Sequence, residues 1–112
     1  MQKIGQGNVT SGTHCRGVLR EVKSIPDVLR LMQEDLSEVV VFSREASATA
    51  MTPLFPKIKG VVCTLGGPTS HLAIVAREFD LACIMGSNIE YDGELDGCSV
   101  SFNSDGEIFL ET

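Results

Sequence analysis

The chain has 112 residues, carries 9 Lys+Arg against 15 Asp+Glu for a formal net charge of −6, and is 43% hydrophobic. That is one small domain's worth of sequence, expected to span 1–112 as a single unit, and its apolar content excludes a disordered tail. An acidic balance without a Lys/Arg run argues against nucleic acid or an anionic membrane as partner, since both are bound by neutralising negative charge. The longest apolar runs are about five residues, against the roughly 20 that span a bilayer. Residues 1–7 also lack a signal-peptide core, so a soluble, cytoplasmic protein is expected.

Residues 1–13, rich in Gly, Gln, Asn, Thr and Ser, read as linker-like, with a short strand near Val9 at most. The mixed polarity of 16–22 predicts a strand. Ser24 and Asp27 form a candidate capping box, and Pro26 fits the first turn. Ile25, Val28, Leu29, Met32 and Leu36 recur at helical spacing behind them, which predicts an amphipathic helix. Residues 38–42 and 60–64 are continuous apolar runs of strand length, the pattern of strands buried on both faces. Between them, Pro53 and Pro56 interrupt a helix-like composition, so a short helix is expected there. A second strong helix is predicted over 70–79, then a short buried strand over 82–85 ended by Gly86. Asp92-Gly93, Asp96-Gly97 and Asp105-Gly106 mark turns around two antiparallel strands at 98–102 and 107–110. The alternation predicts an α/β fold with a mixed sheet packed with helices.

Cys15, Cys63, Cys83 and Cys98 form no Cys-x-x-Cys pair and sit among apolar neighbours, so buried, reduced thiols are expected. His14 and His71 lie far apart in sequence, and no metal site is expected.

The chemistry concentrates in 60–78. A buried strand delivers the chain to Leu65-Gly66-Gly67-Pro68, and a helix then starts with Thr69, Ser70 and His71 in its first turn. Glycines let backbone N–H groups face a ligand, and unsatisfied amides at a helix start suit a phosphate-sized anion. The positive end of the helix dipole disfavours imidazolium, biasing His71 toward its neutral, nucleophilic form. The residues alone leave open whether the hydroxyls only cap the helix or also hold a ligand. A Ser/His hydrolase is disfavoured, because consecutive helix residues diverge by about 100° and no Gly-x-Ser-x-Gly elbow exists.

This stretch, with Thr69-Ser70-His71, the Ala73-Ile74-Val75-Ala76-Arg77 helix and the following 81–86 strand, resembles the swivelling phosphohistidine domain of phosphoenolpyruvate-utilising enzymes. That family includes pyruvate phosphate dikinase, phosphoenolpyruvate synthase, enzyme I of the sugar phosphotransferase system, rifampicin phosphotransferase and phenylphosphate synthase. The resemblance implies a swivelling β/β/α fold in which His71 is the phosphorylated residue, Thr69 and Ser70 support the phosphoryl group, and Gly66 and Gly67 shape the turn beneath it. It also makes Thr69 a candidate regulatory phosphorylation site, and Arg77 a structural surface contact. The implied partners are an ATP-grasp-type nucleotide domain and a phosphoenolpyruvate- or pyruvate-binding barrel or other acceptor domain, in trans or in a longer chain. Mg²⁺ with ATP or phosphoenolpyruvate would sit on those partners, with no cofactor on this domain. A (β/α)₈ barrel alone takes about 250 residues, so the chain is expected to be part of a phosphotransferase rather than a complete enzyme. The other expectation is a non-catalytic regulatory or anion-binding module on the same fold. The family's Thr-x-Pro-Asp-Trp segment is replaced here by Ser47 to Pro53, which retains a hydroxyl at Ser47 and loses the acidic and Trp features.

Overall fold

Among the described residues seven strands close into a barrel in the computed structural model, which describes 2–12, 14–44, 53–64, 71–91 and 95–111, with Ser11 and His71 as backbone only. In chain order the elements are β1 (Gln2–Ser11), β2 (Cys15–Glu21), α1 (Ile25–Leu31), β3 (Val39–Ser43), β4 (Gly60–Cys63), α2 (His71–Glu78), β5 (Ala82–Ile89), β6 (Ser99–Phe102) and β7 (Glu107–Leu110). Around the barrel they run β1-β5-β4-β3-β2-β6-β7, and β7 pairs back onto β1. Strands β2, β3, β4 and β5 are mutually parallel, whereas every pairing of β1, β6 or β7 is antiparallel.

Period-two alternation sorts the apolar strand residues into two cores. Val40, Phe42, Val62 and Ile84 join Ile4, Leu19, Val100, Phe102, Ile108 and Leu110 in the barrel interior. Val39, Val41, Val61, Cys63, Cys83 and Met85 face outward and are covered by Val28 and Leu31 of α1 and by Leu72, Ala73 and Ala76 of α2. This double burial is why β3 and β4 read as unbroken apolar runs. Three of the four cysteines are free and buried as expected, and Cys98 is partly exposed.

The mixed α/β character stands, but the sheet is closed rather than open, and the linker-like reading of 1–13 is corrected by β1. Its glycines are close-approach positions. A Cβ on Gly5 would lie 2.6 Å from Ile89 Cδ1, and one on Gly7 2.4 Å from Ile84 Cγ2. Opposite them, Gly106 has φ 81° and its missing Cβ would meet Gly7 O at 2.0 Å, so both turns of chain need glycine to touch. A second correction is β5, which does not end at Gly86 but passes through it at φ 59° to Ile89.

Helix α1 is shorter than predicted, ending at Leu31, and its apolar face is only partly used: Ile25 is 63% and Leu29 57% exposed. Leu36 is buried beyond the helix end. The capping box is half formed, because Ser24 makes no side-chain cap while Asp27 Oδ2 accepts from Lys23 N at 2.9 Å. That backbone hydrogen bond is the main cause holding the Asp27 carboxyl below its usual range. In the proline-interrupted region, 53–54 makes one tight helical turn that buries Leu54 and Phe55, and 45–52 lies outside the described residues.

Candidate functional site

Parallel strands bring their carboxyl ends to one rim, the place where open α/β sheets bind ligands. Here Glu21 pairs with Phe42 across β2 and β3, and Ser43 with Cys63 across β3 and β4. The segment 65–70 leaves this rim after Thr64, and His71 is the first residue of α2. Gly66, Gly67, Thr69, Ser70 and the side chain of His71 fall outside the described residues, as does Ser47.

The described residues fix the frame on both sides of that segment. Ser87, nearly buried on β5, donates from Oγ to Cys63 O at 2.8 Å, tying down the last residue of β4. Thr64 donates from N to Ser43 O at 3.1 Å and from Oγ1 to Arg44 O at 2.9 Å, so the chain leaving β4 is bound to the chain leaving β3. Helix α2 is seated by its buried Leu72, Ala73 and Ala76, and Arg77 Nε donates to Thr10 O at 3.0 Å, the structural contact expected of that arginine. The helix closes with Leu81 N donating to Ala76 O and Asp80 N to Arg77 O, with Asp80 left-handed at φ 55°. This is a Schellman stop. No acidic residue stands in the first turn of α2, so that turn itself brings no carboxylate to the positive end of the helix dipole.

Sequence reasoning missed Glu21, Lys23, Arg44 and Ser87. Arg44 Nε is 3.2 Å from Glu21 Oε2, and its guanidinium lies 4.9 Å from the centroid of the Phe42 ring, over the barrel mouth. The one available signal was position: Arg44 is the first residue after β3, on the rim where β4 also ends. Cys63, although at that rim, is no nucleophile, because burial, with Cys83 adding to it, pushes its thiol up to about 12. A separate groove of about 600 Å³, lined by His14, Arg16, Lys59, Phe109 and Glu111 among others, opens where β2 and β4 begin, on the other rim. His14 is thereby placed apart from His71.

Comparison with known proteins adds the lineage. The sequence profile of "PEP-utilising enzyme, mobile domain" matches residues 36–103. Rifampicin phosphotransferase of Bacillus subtilis is 34% identical over 59 residues, 53% of this chain and 7% of that protein. Chondramide synthase of Chondromyces crocatus is 34% identical over 74 residues, 66% of this chain and 2% of that protein. An uncharacterized protein of Mycobacterium tuberculosis is 35% identical over 74 residues, 66% of this chain and 8% of that protein. The matched stretch is thus a small fraction of each of these relatives. In fold, the chain is similar to the solution NMR structure of a UPF0107 protein, with a TM-score of 0.64 at 10% identity, covering 97% of this chain and 100% of that one. The matched profile takes in all of β3, β4, α2 with His71, β5 and β6, and so includes the strands β3 and β4 whose ends form the rim, and the chain belongs to the family of PEP-utilising enzyme mobile domains.

Proposed function

We propose that this chain is a phosphoryl carrier of the swivelling β/β/α type, phosphorylated on His71 and dependent on partner domains for donor and acceptor. One observation carries the reading: within the family-matched span, His71 opens α2, and the sequence between it and the carboxyl end of β4 holds the Gly66-Gly67 pair followed by Thr69 and Ser70. A neutral imidazole nitrogen attacks the donor's terminal phosphorus, the phosphorus–oxygen bond to the leaving group breaks with its electron pair going to oxygen, and the ring sheds its proton from the resulting imidazolium. The phosphoryl oxygens then face the positive helix end, worth about 0.3–2 kcal/mol, and Thr69, Ser70 and the amides around Gly66 and Gly67 supply further donors. That stabilisation is small enough for the group to be handed on. An ATP-grasp-type domain or a phosphoenolpyruvate-binding barrel, holding Mg²⁺ with its substrate, would be the donor or acceptor.

The test incubates the purified chain with ³²P-labelled ATP or phosphoenolpyruvate in a clarified extract of its source cells. A single phosphoryl group, stable to base and lost in acid, is expected on the wild type and on His14→Asn, and none on His71→Asn. Equal labelling of His71→Asn overturns the reading.

A further inference from the structure

In an acidic chain the positions of the cations that are not spent on surface pairs are informative. Lys3, Arg16, Arg20, Arg30 and Lys59 each face a carboxylate in exposed or part-exposed ion pairs. Arg44 differs. Its carboxylate partner, Glu21, has a side chain only 8% exposed, while Arg44 itself is 47% exposed. The guanidinium is thus held from one side, by a buried carboxylate at Nε and by the Phe42 ring beneath it, and the other side is open to solvent. Fixing a long side chain at a surface costs rotamer entropy that an ordinary surface pair does not return. What it provides is a planar donor set already aimed, which is the requirement for gripping phosphate oxygens.

Next to it stands Lys23, which makes no ion pair among the described residues and whose backbone N is anchored to Asp27 Oδ2 at 2.9 Å. Lys23, Arg44, Glu21 and Val22 line one pocket of about 180 Å³. That is room for roughly six waters at about 30 Å³ each, enough for one tetrahedral oxyanion. Lys23 and Arg44 bring two cations to this pocket beside the Glu21 carboxylate, with the Asp27 carboxylate at Lys23 N and the Asp96 carboxylate at Glu21 N along its edge. Thr64, which hydrogen-bonds Arg44 O and Ser43 O, stands seven positions before His71 in the sequence.

We propose that Lys23 and Arg44 form an anion subsite at the carboxyl ends of β2 and β3 that grips phosphate oxygens during the reaction at His71, with buried Glu21 as the residue that positions Arg44. The proposal rests on the phosphoryl-carrier reading for its role, but the subsite's affinity is measurable without it.

The experiment is a ¹H–¹⁵N NMR titration of the full chain with inorganic phosphate, run on wild type, His71→Asn, Arg44→Gln, Arg44→Lys and Lys23→Gln. Saturable shifts of the Lys23 and Arg44 amides are expected in wild type and unchanged in His71→Asn. Arg44→Gln raises Kd about tenfold, and Arg44→Lys raises it less, because it keeps the charge and loses the paired donors. Unmoved Lys23 and Arg44 amides overturn the proposal, as does a folded Arg44→Gln with Kd within about twofold of wild type. Should Arg44→Gln fail to fold, Lys23→Gln decides, and a Kd within that same margin overturns it. Repeating the titration on phosphorylated chain separates the two sources of phosphate: loss of binding assigns the subsite to the phosphoryl group on His71, and retained binding to a phosphate of the donor. Absence of label on His71 counts against the carrier reading alone, since the His71→Asn titration does not depend on it.

Discussion

Replacing Ser87 by alanine removes one hydroxyl from the strand that flanks the rim. Ser87 is 6% exposed and its Oγ lies 2.8 Å from Cys63 O, so the deletion leaves a buried carbonyl short of a donor. Strand β1 runs against the same spot: a Cβ on Gly7 would fall 2.9 Å from Ser87 Cβ, so little room exists for a replacement water. A lost buried hydrogen bond with an orphaned acceptor costs about 1–3 kcal/mol. At the middle of that range, and with an unfolding entropy of about 2.1 cal/mol/K per residue over the chain, Ser87→Ala lowers Tm by roughly 8–9 °C. Thermal and urea unfolding followed by circular dichroism read it directly, with an unchanged urea m-value expected because the surface exposed on unfolding is the same. Because Cys63 closes β4 just ahead of the segment leading to His71, labelling of His71 should slow as well. A Tm within about 1 °C of wild type, which corresponds to a few tenths of a kcal/mol, would refute the claim that this hydroxyl holds the end of β4.

Asp80 sits left-handed at the α2 stop, where a side chain costs about 1 kcal/mol and glycine does not; Asp80→Gly is therefore expected to raise stability by about 0.5–1 kcal/mol in urea unfolding, and a loss of stability would contradict the assignment. Cys63 gives a pH prediction. Burial pushes its folded value up to about 12, above the ordinary thiol value of 9.0, so its contribution is fully present below 9.0 and is lost as pH rises from there toward 12. Urea midpoints should fall across that alkaline window, and less steeply in Cys63→Ala; equal slopes would show that the thiol is not buried in the folded state.

The parts of the fold set by local chemistry were readable in advance. β3 and β4 declared themselves because two cores consume both faces, and the β6–β7 hairpin because Asp105-Gly106 supplies its turn. Family membership was likewise legible, since the Thr69-Ser70-His71 motif and the helix behind it are contiguous in sequence. β1 was not legible, because Gly5 and Gly7 are there to admit Ile89 and Ile84 from a strand some eighty residues away, and a loop-like composition is what such closeness demands. For the same reason Gly86 looked like a stop and is a passage. The helical spacing in α1 was real, yet Ile25 and Leu29 face solvent, because a seven-residue helix rests on the sheet through Val28 and Leu31. Arg44 and Glu21, brought together across 23 positions by parallel pairing, leave no trace in either local segment.

The seating of β1 between β5 and β7 also governs when this protein can fold. β1, made before the other strands of this barrel, has no partner among them until β5 emerges, and its second edge stays bare until β7 is complete. Loop closure over that span is slow and must precede the contacts that reward it. The interior cluster of Ile4 with Ile108 and Leu110 therefore assembles only after nearly the whole domain has been synthesised, and a chain stopped short of Glu107 presents two open strand edges to whatever lies nearby.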